Sequence, residues 1–182
     1  GVGPSAEARG ARGIHARGPV LPGHDAGPEE LARVPFTAWI EAAREEIEKL
    51  RAQHETVFVA GLSMGGLVSL AVASEGRADA IAVVATPLRL HPAPLVALIP
   101  VAKYVYRYLP KREGSDIQDP VARARQPGYR KLPLHSIHEL RKMQRWVQER
   151  LVRIIVPTFV SHGAPDRTAD PPAPPAPPSA AL

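Results

Sequence analysis

The sequence predicts an α/β fold with a mostly parallel sheet, flanking helices and a proline-rich helical insertion, and three observations carry that reading. A β-branched run, Val57 to Ala60, passes through Gly61-Leu62-Ser63-Met64-Gly65 into the small and apolar run Leu67 to Ala73. Flanks of that kind read as a buried strand entering a buried helix. A second apolar run, Ala80 to Ala85, shows no alternation, as expected of a strand covered on both faces. Amphipathic helical patterns stand before and after these two runs, so strands and helices alternate.

Taken in order, Ser5 to Gly13 alternates alanine, arginine and glycine around Glu7 and reads as a helix remnant. Ile14 to Leu21 reads as a strand ending in the Pro22-Gly23-His24 loop. After the Gly27-Pro28 turn, Thr37 is the expected N-cap of a helix in which Ile40, Ala43, Ile47 and Leu50 recur at 3-4-3 spacing. Glu45 and Lys49 form an i,i+4 pair on its outer side. The helix delivers the chain through Ala52-Gln53-His54, with His54 as a solvated linker residue, into the Val57 strand. The whole is a strand-helix-strand unit of the length a right-handed parallel crossover needs.

Leu88 to Arg130 breaks the pattern with Pro92, Pro94, Pro100, Pro110, Pro120 and Pro127 around one apolar-aromatic segment, Leu95 to Leu109, and reads as a cap. Tyr104 and Tyr108 share a helical face with Val101 and Val105, a stripe that either lines an acyl pocket or packs the underside of the cap. A second helix follows, with Ile137, Leu140, Val147 and Leu151 inside and Arg141, Lys142, Arg145, Arg150 and Arg153 outside. It leads into Ile154 to Val160, where regular pairing is expected only after Pro157. Ser161 to Asp166 then leaves as a loop, and Pro171 to Pro178 is an extended Pro/Ala tail. The expected division is 1–87 and 132–170 for the two parts of the core, 88–131 for the cap and 171–182 for the tail.

Composition narrows the function classes. A hydrophobic share of 45% in 182 residues supports one globular domain. The absence of cysteine excludes disulfides and thiolate metal sites and fits a cytoplasmic protein. No apolar run approaches the roughly 18 residues of a membrane span, and the start lacks a signal-peptide core. The charge of +5 is spread through every segment, and its densest set lies along a helix without an aromatic platform, so no nucleic-acid partner is expected.

The chemistry centres on Ser63. Gly61-Leu62-Ser63-Met64-Gly65 is a G-x-S-x-G nucleophile elbow, in which a strained strand-to-helix turn exposes the serine hydroxyl. Gly61 and Gly65 are expected to leave room for the crossing backbones. With this elbow, the following strand, the proline-rich cap, and a strand followed by His162-Gly163 and Asp166, the chain resembles the α/β-hydrolase superfamily. Within it, the resemblance is to bacterial carboxylesterases and monoacylglycerol lipases, over roughly Ser5 to Asp170. Leu21-Pro22-Gly23-His24-Asp25 is similar to the loop after that fold's fourth strand, and Pro157-Thr158-Phe159-Val160 to the acid-bearing strand.

The resemblance implies a partial α/β-hydrolase fold and a serine hydrolase of carboxylic esters that forms an acyl-enzyme on Ser63. Asp166 is then the acid and the Met64 amide one oxyanion donor. It implies a small-molecule ester as partner and no cofactor or metal. Two parts of the family pattern lack a counterpart. No His-Gly oxyanion loop precedes Ser5, and no histidine follows Asp166. His162 matches a structural His-Gly, while His24, His91, His135 and His138 fall at loop or cap positions. Impaired activity in a chain truncated at both ends is the expectation, and the strand at Ile14 should shift or pair poorly without a neighbour. The alternative is a non-catalytic remnant or module binding an apolar ligand, and a peptidase or haloperoxidase of the same fold is the third reading.

Overall fold

A computed structural model describes residues 14–89, 99, 103, 106–110 and 131–163. In chain order the elements are α1 (Pro28–Leu31), α2 (Phe36–Arg51), β1 (Phe58–Leu62), α3 (Met64–Ser74), β2 (Ala80–Val84), β3 (Tyr108–Pro110), β4 (Lys131–Pro133), α4 (Leu134–Gln148), a 3₁₀ turn (Leu151–Arg153) and β5 (Thr158–Ser161). β2 lies between β1 and β5 and is parallel to both, in register from Phe58 opposite Ala80 and from Ile81 opposite Thr158. β3 and β4 form a separate antiparallel pair, Tyr108 opposite Pro133.

α3 is the centre of the packing, because Gly66 to Ala73 are all buried and no face of the helix is polar. It lies on β1 and β2 and against α2 and α4. Trp39, Ile40 and Ile47 of α2, Leu67 and Val72 of α3, Ile81 and Val83 of β2, and Met143 and Val147 of α4 form one apolar cluster.

The opposite sheet face is open. Pleating puts Phe58, Ala60 and Leu62 beside Ala80, Ala82 and Val84, and these beside Phe159 and Ser161. Phe58 is 70% exposed, Leu62 62% and Phe159 63%. The reading of Val57 to Ala60 as a buried strand, and of Ala80 to Ala85 as covered on both faces, therefore needs correction. The described apolar cluster packs on the Ile81 and Val83 side alone.

Ile14 to Leu21 does not form the expected strand, and the strand-helix-strand unit is accordingly absent. Arg17, Pro19 and Leu21 line a cleft of about 250 Å³ together with Phe58, Val59 and Ala60 of β1, and no ladder joins the two segments. Side chains hold the segment instead. The Arg17 guanidinium donates to Glu46 at 2.8 Å, and the His15 and His54 rings are hydrogen-bonded, Nδ1 to Nε2, at 2.8 Å. His54, a partly exposed residue of the linker as expected, is thus also a partner of His15.

α2 begins one residue before Thr37. Pro35 stands at the N-cap, and the Phe36 N–H donates at 3.0 Å to Oε2 of Glu139, a carboxylate on α4. A tertiary acceptor thus does the work assigned to the Thr37 hydroxyl. Lys49 pairs with Glu46 at 3.4 Å, not with Glu45. On α4, Val147 is buried as expected, but Ile137 and Leu140 are only partly so, and Leu151 belongs to the 3₁₀ turn. The buried face holds Leu134, Ser136, Glu139, Met143 and Gln144.

Its polar members are satisfied by distant backbone: Ser136 Oγ donates to Leu31 O at 3.0 Å and Gln144 Nε2 to Pro87 O at 2.5 Å, while the exposed Gln148 Nε2 donates to Leu88 O at 2.6 Å. Pairing of β5 starts at Thr158, after Pro157, whose carbonyl accepts from the Ile81 N–H at 3.0 Å. Tyr108 lies on a strand and not on a helical face with Tyr104. Tyr104, Val101, Val105, most of the cap and the whole tail lie outside the described residues. Among the described residues, no helix is long and apolar enough to cross a membrane.

Candidate active site

At the end of β1 the chain reverses into α3 within one residue. Ser63 sits there with φ 53° and ψ −120°, a conformation that non-glycine residues avoid, and its side chain is exposed. Its N–H donates to Val84 O at 2.8 Å, which ties the turn to the end of β2, and its carbonyl accepts from the Gly66 N–H at 2.9 Å. Backbone strain of this kind costs about 1–3 kcal/mol and persists only where the surroundings over-determine it. Here the two strands and the buried helix do so.

The glycines divide differently from expectation. A Cβ on Gly61 would overlap the Gly65 carbonyl and the Gly66 nitrogen, so the strand can pass the helix only without a side chain. Gly65 has no neighbour within 4 Å of where its Cβ would point, which corrects the reading that both glycines make room. The second constrained position is Gly66, whose missing Cβ is replaced by the Thr86 hydroxyl. Thr86 is 5% exposed, and its Oγ1 has no hydrogen-bond partner among the described residues. The Gly65-Gly66 doublet was the available signal for this close approach.

Met64 is the first residue of α3, where a backbone N–H has no intrahelical acceptor. The first turn carries no acidic side chain, so the positive end of this helix is not offset locally.

Because β1, β2 and β5 are parallel, their exits share one edge: Ser63 after β1, Ala85 and Thr86 after β2, His162 and Gly163 after β5. Ala85, also at positive φ (47°), donates its N–H to Ser161 O at 2.9 Å and fixes the last two of these exits together. Asp166 follows Gly163 by three residues and lies outside the described residues, as does His91.

The other histidines are dispersed. His24 packs edge-on against Trp39, ring centroids 5.7 Å apart, beside the Pro22 carbonyl that accepts from the Trp39 indole at 3.1 Å. His135 and His138 stand on α4, 6.4 Å apart, rather than in a loop or cap. Burial, and then the Lys103 charge, hold the His138 imidazole below its ordinary pKa. His162 lines a cleft of about 270 Å³ with Thr86, Leu70, Val83 and Thr158.

The family profile described as Serine aminopeptidase, S33 matches residues 12–174. The thermostable monoacylglycerol lipase of Bacillus sp. (strain H-257) is 31% identical over 172 residues, 92% of this chain and 67% of the lipase. A solved structure of metagenome-derived lipolytic enzymes, LipS and LipT, superposes with TM-score 0.83 at 24% identity, over 91% of this chain and 67% of that one. A soluble variant of monoglyceride lipase from Saccharomyces cerevisiae, in complex with a substrate analog, gives TM-score 0.54 at 19% identity over 75% of this chain and 52% of that one. The Paleococcus ferrophilus monoacylglycerol lipase gives 0.52 at 19% identity, over 68% and 54%. At these identities the superpositions speak for the fold.

Proposed function

Because the chain belongs to the serine aminopeptidase S33 family and folds as part of an α/β-hydrolase, we propose that it is a serine hydrolase of carboxylic esters, of the carboxylesterase or monoacylglycerol lipase type. One observation carries the reading: Ser63 is exposed at a strained turn, one residue ahead of an unneutralised helix N-terminus. In the proposed reaction the Ser63 hydroxyl attacks the ester carbonyl, and the alcohol leaves with the proton that a base has taken from Ser63. Water then cleaves the acyl-enzyme and regenerates the serine.

Charge develops on the carbonyl oxygen, and the Met64 N–H, assisted by the α3 dipole, is its donor. Gly61 and Gly65 frame the elbow, and Asp166 serves as the acid orienting an imidazole. The relative described as a monoacylglycerol lipase supports an ester of a small alcohol as substrate.

No histidine follows Asp166 among these 182 residues. Loss of a triad base costs about 10⁶ in turnover, and loss of one oxyanion donor about 10² to 10³, the two being non-additive. We therefore expect no measurable turnover from these 182 residues assayed by themselves. Imidazole added at high concentration replaces the base, so the test is hydrolysis of a p-nitrophenyl butyrate solution with and without imidazole, for the chain and its Ser63→Ala variant. The expected result is hydrolysis above the variant only when imidazole is present. Equal rates for both proteins at every imidazole concentration, with no Ser63 labelling by a fluorophosphonate, would sink the proposal. Faster hydrolysis than the variant without imidazole would show that a histidine within the chain, such as His162, is the base.

A further inference from the structure

β1 is one margin of the three-stranded sheet, and its outer edge has no ladder partner among the described residues. The Asp79 N–H donates to Val57 O at 3.0 Å and the Ser63 N–H to Val84 O at 2.8 Å, so Val57 and Ser63, and between them Val59 and Gly61, turn their backbone groups to β2. Strand alternation then directs the N–H and C=O groups of Phe58, Ala60 and Leu62 outward. Beside that edge lies the cleft of about 250 Å³, floored by Ala43 and Ile47 of α2 and Val68 of α3 and walled by Pro19 and Leu21. We propose that this cleft binds an extended apolar peptide segment of a partner protein, which adds a strand to β1.

Backbone pairing and lining both specify that occupant. Main-chain hydrogen bonds give such strand addition its affinity, and the pockets for alternate side chains give its selectivity. The edge is open to pairing, because Phe58-Val59-Ala60-Gly61-Leu62 carries no charge or proline to block it. Capacity agrees as well. The cleft runs beside Phe58, Val59 and Ala60, about 10 Å of strand at 3.3 Å per residue. Since a 150 Å³ cavity holds benzene, this one holds roughly ten heavy atoms, the backbone and small side chains of about two extended residues. Its two charged liners, Arg17 and Glu46, engage each other at 2.8 Å, so the lining favours apolar, β-branched side chains. The chain's own Pro171 to Pro178 is a poor occupant, able to donate a backbone N–H at Ala173 and Ala176 alone. A second copy's β1 is backed by its own α3 and is too bulky to enter.

The probe is a fluorescein-labelled, acetylated pentapeptide alternating valine and threonine, followed by two lysines for solubility. Its binding to the 182-residue chain is followed by fluorescence anisotropy, and backbone protection by amide hydrogen exchange. In the free chain the Phe58, Ala60 and Leu62 amides should exchange faster than those of Val59 and Gly61, and saturating peptide should slow them by at least about tenfold. Of two peptides N-methylated on alternate residues, one in each phase, at least one should bind about tenfold more weakly or worse. Ala60→Pro, which removes one outward N–H from an edge strand, should weaken binding, whereas Phe159→Ser on the open sheet face should not. Circular dichroism of both variants verifies the fold, and the exchange and N-methyl measurements need no variant. No saturable binding, or affinity indifferent to N-methylation in both phases, would overturn the proposal. So would loss of binding in Phe159→Ser alone, which would place the peptide on the sheet face. Equal protection of all five β1 amides in the free chain would show the slot already filled by the chain itself, and protection that rises with chain concentration would make the occupant a second copy; either result refutes a partner peptide.

Discussion

Replacing Glu139 with alanine should destabilise the fold by about 2 kcal/mol, from a side chain that ordinary helix patterning would place on the surface. Glu139 is 3% exposed, its Oε2 accepts from the Phe36 N–H at 3.0 Å, and its Oε1 accepts from Lys142 at 2.9 Å. Losing a cap acceptor costs about 1 kcal/mol, and leaving a buried N–H unpaired about 1–3 kcal/mol, two descriptions that overlap. The Lys142 pair adds little, about 0.5 kcal/mol, because that side chain is 48% exposed. Glu139→Gln keeps an acceptor for Phe36 and should cost about 1 kcal/mol or less.

The acidity of the group supplies a pH test. Burial pushes the Glu139 carboxyl upward, but the Lys142 hydrogen bond and the Phe36 N–H outweigh it and hold the group below its ordinary value. A carboxyl whose folded pKa is depressed stabilises the fold above its unfolded pKa, about 4.3, and loses that contribution as pH falls through the folded value. The gap between parent and Glu139→Gln should therefore be full at neutral pH and close in acid. Urea unfolding followed by Trp39 and Trp146 fluorescence at a series of pH values measures both effects. An alanine variant within about 0.5 kcal/mol of the parent at neutral pH would refute the reasoning.

At the serine turn, Ser63→Gly should be more stable than Ser63→Ala by about 1 kcal/mol, since only glycine relaxes φ 53°; equal melting temperatures would remove the strain argument. Gly61→Ala should cost about 3 kcal/mol or more because its Cβ meets backbone, and a soluble, parent-like variant would show that the strand and helix can separate. Gly66→Ala collides instead with the Thr86 side chain, so adding Thr86→Ala should recover part of the loss; strictly additive effects in a double-mutant cycle would contradict the contact.

The segments legible in the sequence are those whose signal is local. The turn at Ser63, the buried helix after it, and the start of β5 behind Pro157 all follow from residues adjacent in the chain. What the sequence hid depends on distant partners. Ile14 to Leu21 is the exception, because poor pairing without a neighbour was expected of it and it joins no ladder among the described residues. The Thr37 cap was displaced by a carboxylate 103 positions from Phe36. Likewise Gly66 is constrained by Thr86, and the buried polar residues of α4 find their partners in backbone from elsewhere, at Leu31, Phe36 and Pro87. At the candidate site the strained turn at Ser63 was readable, whereas the division of labour between Gly61, Gly65 and Gly66 was not.

The buried polar face of α4 also sets an order of events during synthesis. Leu31 O, Phe36 N–H and Pro87 O find their side-chain partners 105, 103 and 57 residues later. A nascent chain emerging at roughly 5–20 residues per second exposes α2 and the exit of β2 for seconds before α4 leaves the ribosome. Contacts of such high separation close late and slowly. Among the described residues the earlier helices are thus among the last elements to be finished, and the incomplete chain presents the apolar faces of α2 and α3 to chaperones until α4 arrives.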